Sequence, residues 1–174
     1  MSRVALLDVN VLVALFDPDH IHHDLAHDWF VDHRAQGWAT CPLTENGFVR
    51  VLASPTYGSV VARPAELVDR LRRFCGSGQH QFWPDAVSLT DETLFNPAFM
   101  AGHRQVTDIY LLGLAKKKGG CLATFDRTVP LKFLVLPLDR YVGQKMAATG
   151  LLIGEGGKDG INVESVVPVS AMCN

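Results

Sequence analysis

The chain of 174 residues lacks the features that mark secreted, membrane-bound or zinc-cysteine proteins. Its four cysteines are widely spaced, with no Cys-x-x-Cys pair and no nearby histidine at zinc-ligand spacing, so we expect free thiols. No segment approaches the roughly 18 apolar residues that a membrane span requires. The apolar stretch from Val4 to Phe16 contains Asp8 and Asn10, unlike a signal-peptide core. We therefore expect a cytoplasmic protein without membrane attachment.

The chain also lacks an excess of positive charge. Its formal net charge is −2, which argues against nucleic-acid binding through overall electrostatics but allows a local basic rim around a groove. The composition is 48% hydrophobic and 20% charged, an ordinary balance for a globular protein. The length suits one domain with a single core.

Short apolar runs alternate with helical patterns through most of the chain. Strands that alternate with helices predict an α/β fold with three layers, in which helices cover a central, mainly parallel sheet. From about Leu138 onward, several glycines interrupt the periodicity. We therefore predict a domain at 1–137 and an irregular tail of unknown role at 138–174. The predicted strands are 4–7, 38–41, 81–83, 121–125 and 134–136.

Four acidic residues fall where predicted strands end or where the following helices begin. Asp8 closes the first strand, and Asp126 lies one residue beyond strand 121–125. Glu45 and Asp108 each follow a threonine that we predict to cap a helix, Thr44 and Thr107 respectively. Since strand ends and the next helix starts share one edge of a parallel sheet, we expect the four carboxylates to meet in one crevice.

A cluster of carboxylates predicts a cation. Neighbouring carboxylates raise one another's pKa, so such a group is unfavourable without a positive charge. Oxygen ligands without cysteine or histidine favour Mg²⁺, with Mn²⁺ as an alternative. Mg²⁺ takes one or two carboxylates, keeps several waters and completes its shell with substrate phosphate. The pattern therefore predicts phosphodiester hydrolysis.

Four sequence blocks carry a family resemblance. In their order and approximate spacing they resemble the signature blocks of PIN-domain nucleases, in particular those of VapC-type toxins. The resemblance covers roughly residues 3–137. The blocks are LLDVNVL at 6–12, TENGFVR at 44–50, TDIYLL at 107–112 and LATFDR at 122–127.

The resemblance implies a Mg²⁺-dependent endoribonuclease that is the toxin of a type II toxin–antitoxin system. It implies an RNA substrate, a VapB-like antitoxin as partner, a homodimer, and contact with operator DNA only through the antitoxin. Carried onto this chain, it makes Asp8 and Asp108 the principal metal ligands. Glu45 and Asp126 are then further catalytic residues, which orient water or hold a second ion.

The same resemblance suggests supporting residues. Asn10 and Thr124 are expected to be hydrogen-bonding groups near the metal. Arg50 and Arg127 are candidates for contacts with RNA phosphates, because each lies near an acidic block.

Other interpretations stay open at this point. Asp8 is also a candidate nucleophile of a phosphatase similar to haloacid dehalogenases, although the second acid of their Asp-x-Asp start is Asn10 here. A non-catalytic PIN-like module that binds RNA or protein is another alternative, and loss of acids would be its mark. Asp8 alone is also a good helix cap.

A histidine cluster opens one more alternative. His23 and His27 lie four residues apart and can share a helix face, a spacing compatible with zinc or nickel. His20 and His22 lie close to them in the sequence. With no further ligand evident, we interpret the cluster as a solvated helix start.

Overall fold

A computed structural model describes residues 3–58, 62–96 and 102–126, together with the backbone of 145–155 and 158–170. Two compact units make up the chain. The first consists of residues 1–88 and 110–126, and the second of 89–109 and 127–174. The first unit contains the predicted parallel sheet.

Within the described residues, the sheet has four strands in the order β3-β2-β1-β4, and all of its neighbouring pairs are parallel. Short runs of apolar residues form its centre, as expected for strands that are covered on both faces. The predicted α/β class is thereby confirmed. The strands are β1 (Ala5–Leu7), β2 (Trp38–Thr40), β3 (His80–Phe82) and β4 (Cys121–Ala123).

Helices cover both faces of this sheet. One apolar cluster joins Leu7 and Trp38 to residues of the first four helices, and a second joins Leu6 and Ala39 to the part of the fifth helix that follows Tyr110. Alternate residues of a strand point to opposite faces, which explains why Leu6 and Leu7 enter different clusters. The helices are α1 (Val9–Phe16), α2 (His23–His33), α3 (Pro42–Leu52), α4 (Pro64–Cys75) and α5 (Val106–Lys117).

The ends of these helices follow local chemistry. Pro64 is the first residue of α4, a position where the missing N–H is not needed. At the end of α5, Lys116 and Lys117 occupy the last turn, where positive charge suits the helix dipole. Gly119 follows with a φ of 69°, a left-handed conformation that favours glycine and terminates the helix.

Two predicted helix starts were wrong by a few residues. α3 begins at Pro42, two residues before Thr44, and Cys41 is its N-cap. Thr44 still takes part, because its Oγ1 accepts a hydrogen bond of 2.9 Å from the backbone N–H of Cys41. α5 begins at Val106, so Thr107 lies inside its first turn. A proline at the first helical position is the stronger start signal of α3.

The tail is not irregular in the two stretches that the structure describes. β5 (Lys145–Glu155) and β6 (Lys158–Ser170) form an antiparallel pair in the second unit. The alternation of Ile161 and Val163 with polar residues is a strand signal, and Gly-Gly between Glu155 and Lys158 is a favoured hairpin dipeptide. Gly150, Gly154 and Gly160 lie within these strands and do not interrupt them. The boundary at 137/138 and the role of the tail stay predictions.

Two further expectations concern a fifth strand of the sheet and membrane-spanning helices. The strand predicted at 134–136 lies outside the described residues. Among the helices that the structure describes, none combines the length and apolar character that crossing a membrane requires.

Candidate active site

Asp8 lies between the end of β1 and the start of α1, and its side chain is only 5% exposed. Its Oδ1 accepts a hydrogen bond of 2.6 Å from the backbone N–H of Val9. The helix-cap interpretation of Asp8 is therefore confirmed. This cap engages one carboxylate oxygen and leaves Oδ2 for other partners.

Asn10 and Thr124 both donate to the second oxygen of Asp8. Asn10 Nδ2 lies 2.8 Å and Thr124 Oγ1 2.7 Å from Asp8 Oδ2. Asn10 Nδ2 also donates to Thr124 Oγ1 at 3.0 Å, and its Oδ1 accepts from the backbone N–H of Phe125 at 3.1 Å. These bonds join the ends of the neighbouring strands β1 and β4 and fix the orientation of the Asp8 carboxylate.

Asp126 completes this group, which we call the Asp8 cluster (Asp8, Asn10, Thr124 and Asp126). The backbone N–H of Asp126 donates to Thr124 Oγ1 at 3.0 Å. Burial raises the pKa of Asp8, the hydrogen bonds from Thr124, Val9 and Asn10 oppose that rise, and the negative charge of Asp126 adds to it. A cation beside these two carboxylates would offset both burial and repulsion.

The oxygen atoms of the Asp8 cluster are suitable ligands for a hard divalent cation. They are carboxylate, amide and hydroxyl oxygens, which suit Mg²⁺ or Mn²⁺. A carboxylate has about four lone-pair directions. Three hydrogen bonds from Val9, Asn10 and Thr124 use three of them at Asp8, which leaves one direction for an ion.

Glu45 lies in the first turn of α3, and Gly47 brings this turn close to the start of α1. A Cβ atom at Gly47 would lie only 2.5 Å from Cγ2 of Val9, the residue that follows Asp8. Any larger residue would require the Val9 side chain or one of the two helices to shift. Gly47 thus determines how near the Glu45 turn lies to Asp8, a role that we did not predict. A glycine inside an apolar helix was the available signal.

The Glu45 carboxylate contacts residues that we did not predict. Thr40, at the end of β2, is fully buried, and its Oγ1 donates to Glu45 Oε1 at 2.7 Å. The same Oγ1 lies 2.8 Å from His80 Nε2. Because the single hydroxyl proton goes to Glu45, the ring nitrogen is the donor in the second bond.

Cys75 is the third neighbour of Glu45, and its thiol also bonds to Thr40. Burial and the charge of Glu45 together raise the pKa of Cys75 to about 11. Burial lowers the pKa of His80, while the charge of Glu45 opposes that change. We call this second group the Glu45 cluster (Thr40, Glu45, Cys75 and His80). The expectation that no histidine lies at zinc-ligand spacing from a cysteine was wrong here, since only four residues separate Cys75 from His80 and both lie beside Glu45.

The remaining predicted site residues are placed as follows. Asp108 lies in the first turn of α5, within the second unit, so its convergence with the other acids stays a prediction. Arg50 is exposed in the last turn of α3. Arg127 lies outside the described residues. The contacts of these arginines with RNA stay predictions.

The histidine cluster has a structural role. His23 Nδ1 lies 2.8 Å from the carbonyl oxygen of Ala14, and His27 Nε2 lies 3.0 Å from that of Leu15. Both rings therefore donate to carbonyls at the end of α1, which lack partners within the helix. Within the described parts of the chain, no group of potential metal ligands includes these histidines. Cys41, Cys75 and Cys121 are thiols rather than halves of disulfides, as predicted.

Comparison with known proteins identifies several bacterial relatives. The chain is 42% identical over 127 residues to ribonuclease VapC44 of Mycobacterium tuberculosis, which covers 73% of this chain and 89% of the relative. It is 43% identical over 122 residues to ribonuclease VapC39 of the same organism, covering 70% and 88%. Ribonuclease VapC38 is 45% identical over 126 residues, covering 72% and 87%. A scan against protein-family profiles finds no match.

Proposed function

The chain belongs to the VapC ribonucleases, and from this premise we propose that it is the toxin of a type II toxin–antitoxin pair that hydrolyses RNA with Mg²⁺. The observation that carries the proposal is the Asp8 cluster, in which one buried carboxylate is fixed by two side-chain donors beside a second acid. Membership of the VapC ribonucleases does not favour the two alternatives, a haloacid dehalogenase-like phosphatase and a non-catalytic PIN-like module.

Asp8 and Asp108 are the proposed ligands of the ion. Mg²⁺, when bound, supplies a Lewis acid that polarises the scissile phosphate and lowers the pKa of water. Asn10 and Thr124 hold Asp8 Oδ2 in one orientation, so the carboxylate is already arranged before an ion arrives. Mn²⁺ is expected to replace Mg²⁺, because it accepts the same oxygen donors.

Glu45 and Asp126 are the further proposed catalytic residues, which orient water or hold a second ion. Thr40 holds one oxygen of Glu45, and the carboxylate is half-buried, so it can reach solvent at the edge of the sheet. We assign to Glu45 the acceptance of a proton from the attacking water. Asp126 adds negative charge beside Asp8 and thereby favours cation binding at this edge.

The proposed partners follow from the same membership. A VapB-like antitoxin is the expected inhibitor, and operator DNA is expected to be bound by the antitoxin of the complex. We further propose that the toxin is a homodimer. Arg50 and Arg127 are the proposed contacts with RNA phosphates, since a guanidinium group suits phosphate geometry.

Substitution of the two proposed ligands tests this function. Asp8→Asn and Asp108→Asn should each abolish Mg²⁺-dependent cleavage of single-stranded RNA, because each removes a charge that holds the ion. Circular dichroism should show that both variants keep their helices and strands. The proposal is wrong if either variant still cleaves RNA in a Mg²⁺-dependent manner.

Asp69→Asn provides a matched control on the surface. Asp69 is an exposed carboxylate on α4 that pairs with Arg72. Exposed ion pairs contribute little to stability, so this variant should cleave RNA at the wild-type rate.

A further inference from the structure

The Glu45 cluster brings together three side chains that can ligate a metal. They come from three elements: Glu45 from the first turn of α3, Cys75 from the last residue of α4 and His80 from the first residue of β3. One ligand atom of each lies within 4.8 Å of the other two, and all three residues are half-buried. We propose that this cluster binds a Zn²⁺-class cation and that binding inhibits the nuclease by withdrawing Glu45.

The spacing of the three groups suits a tetrahedral ion. Bonds from Zn²⁺ to sulfur, nitrogen and oxygen of about 2.0–2.3 Å place neighbouring tetrahedral ligands roughly 3.3–3.8 Å apart. Ligand atoms that already lie within 4.8 Å reach this arrangement through small side-chain rotations. Three protein ligands leave the fourth position for water.

The donor set distinguishes this ion from Mg²⁺. A thiolate and an imidazole are ligands that Zn²⁺ prefers, whereas Mg²⁺ prefers oxygen. Burial lowers the pKa of His80, which favours the neutral form that metal binding needs. The two clusters therefore select different cations, although each includes a residue at or just beyond the end of a parallel strand.

Binding of Zn²⁺ changes the protonation of Cys75 but not the charge of His80. The thiol of Cys75 gives up its proton to solvent when the sulfur–metal bond forms. The imidazole of His80 stays neutral, and its one proton occupies the nitrogen that does not bind the ion. The cation also removes the repulsion from Glu45 that helps to keep Cys75 protonated. Each equivalent of Zn²⁺ should therefore release one proton.

Without metal, hydrogen bonds to Thr40 hold the Glu45 cluster together. The buried hydroxyl of Thr40 donates to Glu45 and accepts from His80, so α3 and β3 are joined through the end of β2. A purely structural hydrogen-bond network is the competing interpretation. The two interpretations differ in whether stoichiometric Zn²⁺ binding depends on Cys75 and His80.

Inhibition rests on the proposed function, because it requires that Glu45 act in cleavage. A carboxylate bound to Zn²⁺ no longer accepts a proton from the attacking water. Zinc should therefore slow Mg²⁺-dependent cleavage at concentrations that fill the Glu45 cluster. A chelator selective for zinc should restore the rate.

Direct metal binding provides the test. Calorimetry with Zn²⁺ should show one site and proton release, and Co²⁺ should give the absorption typical of a thiolate ligand. We expect Cys75→Ser and His80→Gln each to weaken Zn²⁺ binding by about tenfold or more, and Cys75→Ser to abolish the Co²⁺–thiolate band. Cys121→Ser and His103→Gln are matched controls and should bind as the wild type does. Unchanged Zn²⁺ affinity in both cluster variants would overturn the proposal.

The binding measurements are repeated in Asp8→Asn, which keeps the Glu45 cluster. Zn²⁺ binding in that variant should equal that of the wild type, whether or not the nuclease assignment is correct. For inhibition, each variant is compared with its own zinc-free rate. Equal inhibition of wild type and Cys75→Ser would refute the inhibitory role of this site.

Discussion

The Asp8 cluster and the Glu45 cluster lie at the same edge of one parallel sheet but are built from different atoms. The first is held at the ends of β1 and β4 by oxygen and amide groups. The second joins Thr40 at the end of β2 to His80 at the start of β3 and adds sulfur and imidazole nitrogen. The edge of the sheet thus sets where the clusters lie, while their side chains decide which cation each one prefers.

The largest effect is expected when stabilisation by Mg²⁺ and by Zn²⁺ is compared in the variants Asp8→Asn and Cys75→Ser. A ligand at 100 times its Kd raises the free energy of unfolding by about 2.7 kcal/mol. In thermal or urea unfolding, we expect Mg²⁺ to lose this effect in Asp8→Asn and keep it in Cys75→Ser. Zn²⁺ should show the reverse. Loss of both effects in a single variant would mean that the two clusters are one site.

Gly47→Ala tests the approach of the two clusters. The added Cβ would lie 2.5 Å from Val9 Cγ2, so either the Val9 side chain must shift or α3 must move away from the start of α1. We expect the free energy of unfolding to fall by about 1–3 kcal/mol, as in other overpacked cores. Cleavage should fall as well, because Glu45 moves with its helix. Urea unfolding and cleavage rates measure the two effects.

Gly102→Ala is the control for this substitution. A Cβ atom at Gly102 meets nothing within 4 Å, so the change should leave stability unchanged or slightly higher. If Gly47→Ala behaves like this control, the close approach of the helices does not constrain the site.

Thr124→Val tests whether the hydrogen bond from Thr124 to the Asp8 carboxylate is needed for metal binding. Valine has the shape of threonine but cannot donate to Asp8 Oδ2 or accept from Asn10 and the Asp126 backbone. Loss of such supporting bonds typically lowers metal affinity or activity about 10–100-fold. Mg²⁺ titration of the cleavage rate measures this loss. Thr93→Val is the control, since the exposed Thr93 hydroxyl also donates to an aspartate, Asp91.

The sequence predicted the Asp8 cluster well because its members belong to short local patterns. Asp8 and Asn10 lie two residues apart, as do Thr124 and Asp126, and each pair follows an apolar strand. Parallel pairing of β1 with β4 then brings the two pairs together. The strand order, in which β1 and β4 are neighbours, was the part that no local pattern predicts.

The Glu45 cluster could not be predicted in the same way. Cys75 ends a helix and His80 begins an edge strand, positions that by themselves have ordinary structural meanings. Their meeting with Glu45 depends on the parallel register of β2 and β3, which pairs Trp38 with His80 and Thr40 with Phe82. That register results from packing across the whole sheet rather than from neighbouring residues.

Thr40→Val should give the smallest effect and tests whether an ion can replace the hydroxyl in the Glu45 cluster. Without metal, Glu45 and His80 lose their shared partner, so the free energy of unfolding should fall by about 1 kcal/mol or somewhat more. Saturating Zn²⁺ should remove most of this loss, because the ion binds the same two side chains. Urea unfolding with chelator and with Zn²⁺ makes the comparison. An equal loss under both conditions would show that Thr40 supports the fold independently of any ion.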